Sequence, residues 1–292
     1  MKRKIFLILF LCVCVTLIQA QLLWEISGNN LKTKSYLFGT HHLVPVSFLD
    51  SIPGIYPAFN HCKVVVGEIV ANDPTMVQKM TEAAKMPVYT NYHTLFSEEE
   101  YHLVDSALQV VLKMNLSDLA LLKPAMINNL YIVSLYNMRY PTENQNWQLD
   151  SFFQQVANKK KTPVIGLESI DKQIDILFNL QSLERQAFLL AGTIKSPQNI
   201  ETELSQLNDL YKKGDLNGLL SLYQNDTTIY APTQQESYEL LDNRNLDWSI
   251  TIPKLIENKA CFIAVGALHL PGENGLIALL RKAGYKVKPV KK

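Results

Sequence analysis

Two short apolar runs, one near each end of the chain, stop at the same pattern. YLFGTHHL (Tyr36 to Leu43) and CFIAVGALHLPGENG (Cys261 to Gly275) each carry a strand-like run into Gly-x-x-His. In open α/β sheets, ligands collect outside the carboxyl ends of the strands, where side chains from separate strands converge. The repeated ending therefore points to one site, which requires the two ends of the chain to meet in one sheet.

The rest of the chain is consistent with that requirement. LLWEIS (Leu22 to Ser27) and SYLFGTH (Ser35 to His41) flank the turn-rich GNNLKTK and predict a hairpin. KVVVGEI (Lys63 to Ile69) is a continuous apolar run of the kind covered on both faces. A helical middle follows. SEEE at Ser97 to Glu100 is a capping box opening a helix to about Met114, and Ala125 to Met138 and Asp150 to Asn158 have the same periodicity. PVIGLES (Pro163 to Ser169) interrupts as a short strand. Leu183 to about Glu257 reads as helix, broken near Pro197, Gly214 and Pro232, before CFIAVG and YKVKPV close the chain around one more helix. This order predicts an α/β fold: a central sheet built from N- and C-terminal strands with a large helical insert. No Gly-, Pro- or Ser-rich linker separates domains, and no internal repeat is present beyond the Gly-x-x-His pair.

Residues 1–20, MKRKIFLILFLCVCVTLIQA, combine a basic start with fourteen apolar-run residues from Ile5 to Ile18 and end in Ala20. That is the form of a signal peptide, and the run is shorter than the roughly 18 residues a spanning helix needs. The expectation is an exported protein, periplasmic or secreted, with no stable membrane insertion after cleavage. Removing Lys2, Arg3 and Lys4 takes the formal charge from +1 to −2, which leaves no basic excess for a nucleic-acid partner. Cys62 and Cys261 remain. Export permits a disulfide between them, but cysteines leading into core strands are more often buried thiols.

Three apolar strands end in a polar residue near a glycine: His42 after Gly39, Glu68 after Gly67 and His269 after Gly266. Two imidazoles and a carboxylate could hold a divalent metal and leave a position for water. The plainer alternative is that each histidine caps its strand and Glu68 is an exposed strand-end carboxylate. One Gly-x-x-His alone would favour that alternative.

The sequence also resembles the TraB/GumN family. The resemblance is carried by YLFGTHHL, VVVGE, LDSFFQQVANKKKTPVIGLESIDKQ, the LLDNRN of Leu240 to Asn245, and FIAVGALHLPGENGLIALLRKAGYKV, which follow one another across most of residues 21–292. It implies a single domain over residues 21–292 and a functional set of two Gly-x-x-His motifs and a glutamate, matching His42, Glu68 and His269. Characterised members include metal-dependent proteases that use manganese or cobalt and shutdown proteins that lower the activity of peptide pheromones. The resemblance thus implies one divalent ion, manganese or cobalt ahead of zinc, and a peptide or protein substrate. Oxygen and imidazole donors without thiolates are compatible with all three metals.

Two further residues fall in the matching segments. Glu168 of GLES could orient a metal-bound histidine or act as general base, or it could simply stand at a helix N-terminus where the dipole favours its charge. Arg244 could hold a substrate carboxylate or a developing oxyanion, or pair with Asp242 and Asp247 on an exposed helix. His41, next to His42, is expected on the opposite strand face as a partly buried imidazole, and His61, His93 and His102 as structural or exposed. Together these readings predict an exported metal-dependent hydrolase, most plausibly a peptidase, with Glu68, Glu168 and Arg244 as catalytic candidates. The rivals are a non-catalytic peptide-sequestering protein and a hydrolase of erythromycin-esterase type that uses histidine without metal.

Overall fold

The computed structural model describes residues 21–141 and 148–291, so the expected export segment, residues 1–20, lies outside the described residues. The two ends of the chain share one mixed sheet, as the paired motifs require. Its strands are β1 (Leu23–Gly28), β2 (Ser35–Thr40), β3 (Val64–Gly67), β4 (Val164–Gly166), β5 (Cys261–Gly266) and β6 (Tyr285–Pro289), in the order β4-β3-β5-β2-β1-β6. β5 lies parallel between β2 and β3, and β4 extends the parallel part on the other side of β3. The carboxyl ends of β2, β3, β4 and β5 therefore open on one edge.

β1 and β2 form the expected antiparallel hairpin. The final strand does not join β5 as a parallel neighbour. β6 pairs antiparallel with β1 at the far edge, where Val287 is buried and Lys286 and Lys288 face solvent. Alternation of this kind suits an edge strand wet on one side, and the lysines protect the edge from further pairing.

The centre of the sheet is dry on both faces. Val66, Phe262, Ile263 and Val265 are fully buried, and Phe38, Phe59, Phe153 and Phe262 pack their rings at 4.6 to 6.2 Å. Phe153 comes from the helix Leu149–Lys159, which lays its apolar face across β3 and β5. Burying one such ring contributes roughly 1.5–3 kcal/mol. The middle of the chain builds a second cluster, in which Val104 and Leu108 of helix Glu98–Val111 meet Ile127 and Tyr131 of helix Pro124–Arg139 and Leu190 of helix Leu183–Lys195. The Ser97–Glu100 capping box is present, and the helical stretch breaks at Ser196, at Gly214 in left-handed backbone and before Thr233, as expected.

Two glycines of the motifs do structural work. A Cβ on Gly39 would lie 3.1 Å from Cα of Ala267. The first motif's glycine therefore lets the second motif pack closely against it. A Cβ on Gly275 would meet the carbonyl oxygens of Pro271 and Leu270 at 2.0 and 2.4 Å, so only glycine can lead this turn into helix Leu276–Lys282.

Cys62 and Cys261 are buried free thiols. Burial pushes the Cys62 thiol up to about 12 and the Cys261 thiol to about 11. Among the described residues no helix is long and apolar enough to cross a membrane.

Candidate active site

The site is assembled at the carboxyl edge of the parallel strands. After β3 and β4 end, the ladder continues for one more step: Leu167 N–H donates to Gly67 O and Glu168 N–H to Glu68 O, each at 2.9 Å. This sets Glu68 and Glu168 on adjacent strand ends. β5 ends at Gly266, and the chain turns through a 3-10 helix, Ala267–His269. Residues i and i+3 of such a helix eclipse, so the x-x spacing returns His269 over Gly266. The Gly266 N–H donates to Oε1 of Glu68 at 2.8 Å.

Arg244 closes the group from the helix Asn243–Ile256, which follows a π-helical turn, Tyr238–Asp242. Turns of that type often occur at functional sites. Its guanidinium donates from Nε and Nη2 to both oxygens of Glu168 at 3.1 and 2.7 Å, from Nη2 to Glu68 Oε2, and from Nη1 to the carbonyl of Leu240 at 3.2 Å. Nη1 also lies 3.0 Å from Nε2 of His269. The guanidinium stacks over Trp248, one turn along its own helix, at 4.6 Å, and Trp248 packs on His269 at 4.5 Å. Arg244 is therefore buried inside the site. The exposed ion-pair alternative does not hold, because Asp247 pairs with Lys172 and Asp242 accepts from Asn274.

The tautomer of His269 follows from its partners. Asn245 donates from Nδ2 to the carbonyl of Asn274 at 2.9 Å, which turns its Oδ1 toward Nδ1 of His269 at 2.8 Å. Nδ1 must carry the proton, so Nε2 presents its lone pair to the site and accepts from Arg244. Burial lowers the His269 pKa to about 4, against the pull of Glu68, and the ring is neutral.

The two carboxylates differ. Burial works against the charge of both. For Glu68 a charge on His269 is the largest cause opposing burial, followed by Arg244 and the Gly266 N–H; with the ring neutral, Arg244 and the N–H are the contacts that compensate its carboxylate. For Glu168 burial wins, and its pKa is raised despite Arg244. Its side chain is only 2% exposed and reaches Arg244. Ser169, not Glu168, caps the following helix, and the Glu168 carboxylate is turned to Arg244.

His42 stands apart from this contact network. β2 ends at Thr40, so His41 and His42 lie beyond the strand and the expected alternation of faces does not apply to them. Nδ1 of His42 meets Oδ2 of Asp150 at 2.6 Å, and Thr40 donates to the other oxygen of Asp150. Asp150 raises the His42 pKa to about 9, with Glu68 adding to the effect and Arg244 opposing it. His41 is partly buried as expected; its Nδ1 accepts from Leu43 N–H and burial lowers its pKa to about 4. His61, His93 and His102 are exposed.

Asp150 and Asn245 were not singled out from sequence, although both lie in the segments that carry the family resemblance. Each anchors the Nδ1 of one motif histidine and so turns its Nε2 toward other partners; in His269 that nitrogen meets Arg244. Anchoring of this kind is usual around metal-bound imidazoles.

Donor type thus suits a divalent ion, but the arrangement does not. Among the described residues no group of three or more His, Cys, Asp or Glu side chains is placed to hold a metal, and the guanidinium takes up the Nε2 lone pair of His269 and one oxygen of Glu68.

The TraB/PrgY/gumN family matches residues 22–289. Among curated proteins, Metalloprotease TIKI1 of Danio rerio is 24% identical over 322 residues, covering 91% of this chain and 62% of that protein. Metalloprotease TIKI1 of Homo sapiens is 25% identical over 320 residues, covering 91% and 61%, and Metalloprotease TIKI2 of Danio rerio is 24% identical over 318 residues, covering 91% and 60%. The chain spans about three fifths of the length of these relatives. No solved structure matches it.

Proposed function

This chain belongs to the TraB/PrgY/gumN family, and from that premise we propose that it is an exported hydrolase of peptide bonds whose reaction centre is the Arg244 cluster. The observation that carries the reading is one buried guanidinium shared by two carboxylates in unlike surroundings, Glu68 held also by the Gly266 N–H and Glu168 with a pKa raised by burial, beside a neutral imidazole. Such a difference separates roles. Glu68 stays ionised and fixed by Gly266 and Arg244. Glu168, with its raised pKa, is the group suited to take a proton from an attacking water and return it to the leaving amine. The N–H groups of Arg244 are donors for the charge that develops on the scissile carbonyl oxygen.

Metal dependence is suggested by the names of the relatives, which are called metalloproteases. The proposed cofactor is one divalent ion, manganese or cobalt ahead of zinc, with His42, Glu68 and His269 as the residues offered to it. No step is assigned to the ion, because the arrangement described above holds a guanidinium in its place. Export rests on residues 1–20 alone.

The test is a peptide-mixture digestion read by mass spectrometry, with chelator and with added manganese, cobalt or zinc. Cleavage that Glu168→Gln abolishes supports a hydrolase centred here, and its loss in chelator supports the metal. Depletion of free peptide without products would overturn hydrolysis in favour of sequestration, and cleavage unaffected by chelator would overturn the metal.

A further inference from the structure

We infer that Arg244 and a divalent ion are alternative occupants of one centre, so that an ion enters only as the guanidinium withdraws from His269 and Glu68. The inference rests on the metal-dependent reading above in naming the ion, but its argument comes from the valence and charge of the atoms present. A neutral imidazole has one acceptor nitrogen. In His269 that nitrogen is Nε2, because Asn245 fixes the proton on Nδ1. The single Nε2 lone pair already accepts from Nη1 of Arg244 at 3.0 Å. It cannot also coordinate a metal.

Glu68 is constrained by charge rather than by valence, since each of its oxygens has two acceptor sites. Its Oε1 accepts from Gly266 N–H and its Oε2 from Nη2 of Arg244. An ion bound to these atoms with Arg244 in place would set a divalent charge against a guanidinium in a buried site, where repulsion is strong. The remaining contacts of Arg244, to Glu168, to the Leu240 carbonyl and to the Trp248 face, involve none of the residues offered to the ion. They can hold the guanidinium after it withdraws. Without metal, the arginine keeps Glu68 and Glu168 compensated, so the protein need not carry unpaired buried carboxylates while it waits for an ion.

Coupling between two occupants is reciprocal. Removing the arginine must strengthen ion binding, and binding an ion must move the arginine. The experiment is calorimetric titration of zinc and manganese into wild type, Arg244→Met and His269→Ala, with intrinsic fluorescence of wild type and Trp248→Phe under zinc. Expected are binding at least about tenfold tighter in Arg244→Met, loss of that binding in His269→Ala, and a zinc-induced change in emission that Trp248→Phe lacks. Equal or weaker binding by a cooperatively melting Arg244→Met would overturn the inference, as would binding by neither protein. If Arg244→Met does not fold, the fluorescence decides: zinc bound by wild type with Trp248 emission unchanged would overturn it. Peptide cleavage by wild type tests the hydrolase reading separately, because it is measured on a protein in which neither Arg244 nor His269 is changed.

Discussion

Oδ1 of Asn245 lies 2.8 Å from Nδ1 of His269, and this one contact decides which ring nitrogen faces the site. Replacing Asn245 by Ala leaves a buried imidazole donor and the Asn274 carbonyl without their partner. We expect a loss of roughly 1–3 kcal/mol in unfolding free energy and a fall of roughly 10–100-fold in activity or ion affinity, the usual effect of removing such an anchor. Urea titration and kinetics on one preparation measure both. Full activity in a destabilised protein would show that the tautomer is not used.

Glu168→Gln preserves shape while removing the proton acceptor. If Glu168 moves the proton, kcat/KM falls by about 10²–10⁴-fold while the circular dichroism spectrum stays unchanged. A variant that retains more than a tenth of wild-type activity would return the role to Glu68.

His42 should titrate near 9 because Asp150 faces its Nδ1. In Asp150→Asn its pKa should drop toward the ordinary value of about 6.5. Imidazole proton chemical shifts followed by NMR give both numbers. An unchanged His42 titration in the variant would place the cause elsewhere.

His41 and His269 both have pKa values lowered to about 4 by burial. The unfolded chain takes up protons at these positions from about pH 6.5 downward, while the native state remains neutral to about pH 4. Stability therefore falls as pH drops through that window, by up to about 1.4 kcal/mol per pH unit for each histidine. Glu168 acts oppositely, since its raised pKa gives a contribution that is lost as pH rises through it. The expected result is a urea midpoint that declines from pH 6.5 to 4.5, and declines less steeply in His41→Asn.

Cys62 and Cys261 should both react with an aromatic disulfide reagent under denaturing conditions, and neither rapidly in the native state, in a preparation of residues 21–292. Both cysteines are buried, and burial keeps both protonated near neutral pH. Fewer than two thiols after unfolding would indicate a bridge.

Much of the fold was legible because its signals are local. The continuous apolar run of β3, the hairpin signal of GNNLKTK and the Ser97–Glu100 capping box each depend on a few adjacent residues. The partner of β6 was not legible, since pairing with β1 rather than β5 is settled across more than 250 residues of chain. The approach of Glu68 to His269 could be anticipated from strand endings, whereas His42, expected with them, pairs with Asp150 instead, and Glu168 joins through Arg244. What joins the carboxylates was not legible: Arg244 sits on a helix whose sequence, with Asp242 and Asp247 nearby, reads equally well as an exposed charged face.

The sequence by itself determined the chemical types available at the sheet edge, because a Gly-x-x-His or Gly-Glu ending commits a strand to deliver that side chain where its ladder stops. Only the tertiary structure decided how those side chains are used. Burial and distance, which no local pattern encodes, gave Nδ1 of each motif histidine its anchor, made one carboxylate a fixed charge and the other a proton carrier, and placed a guanidinium on the lone pair that a metal would need.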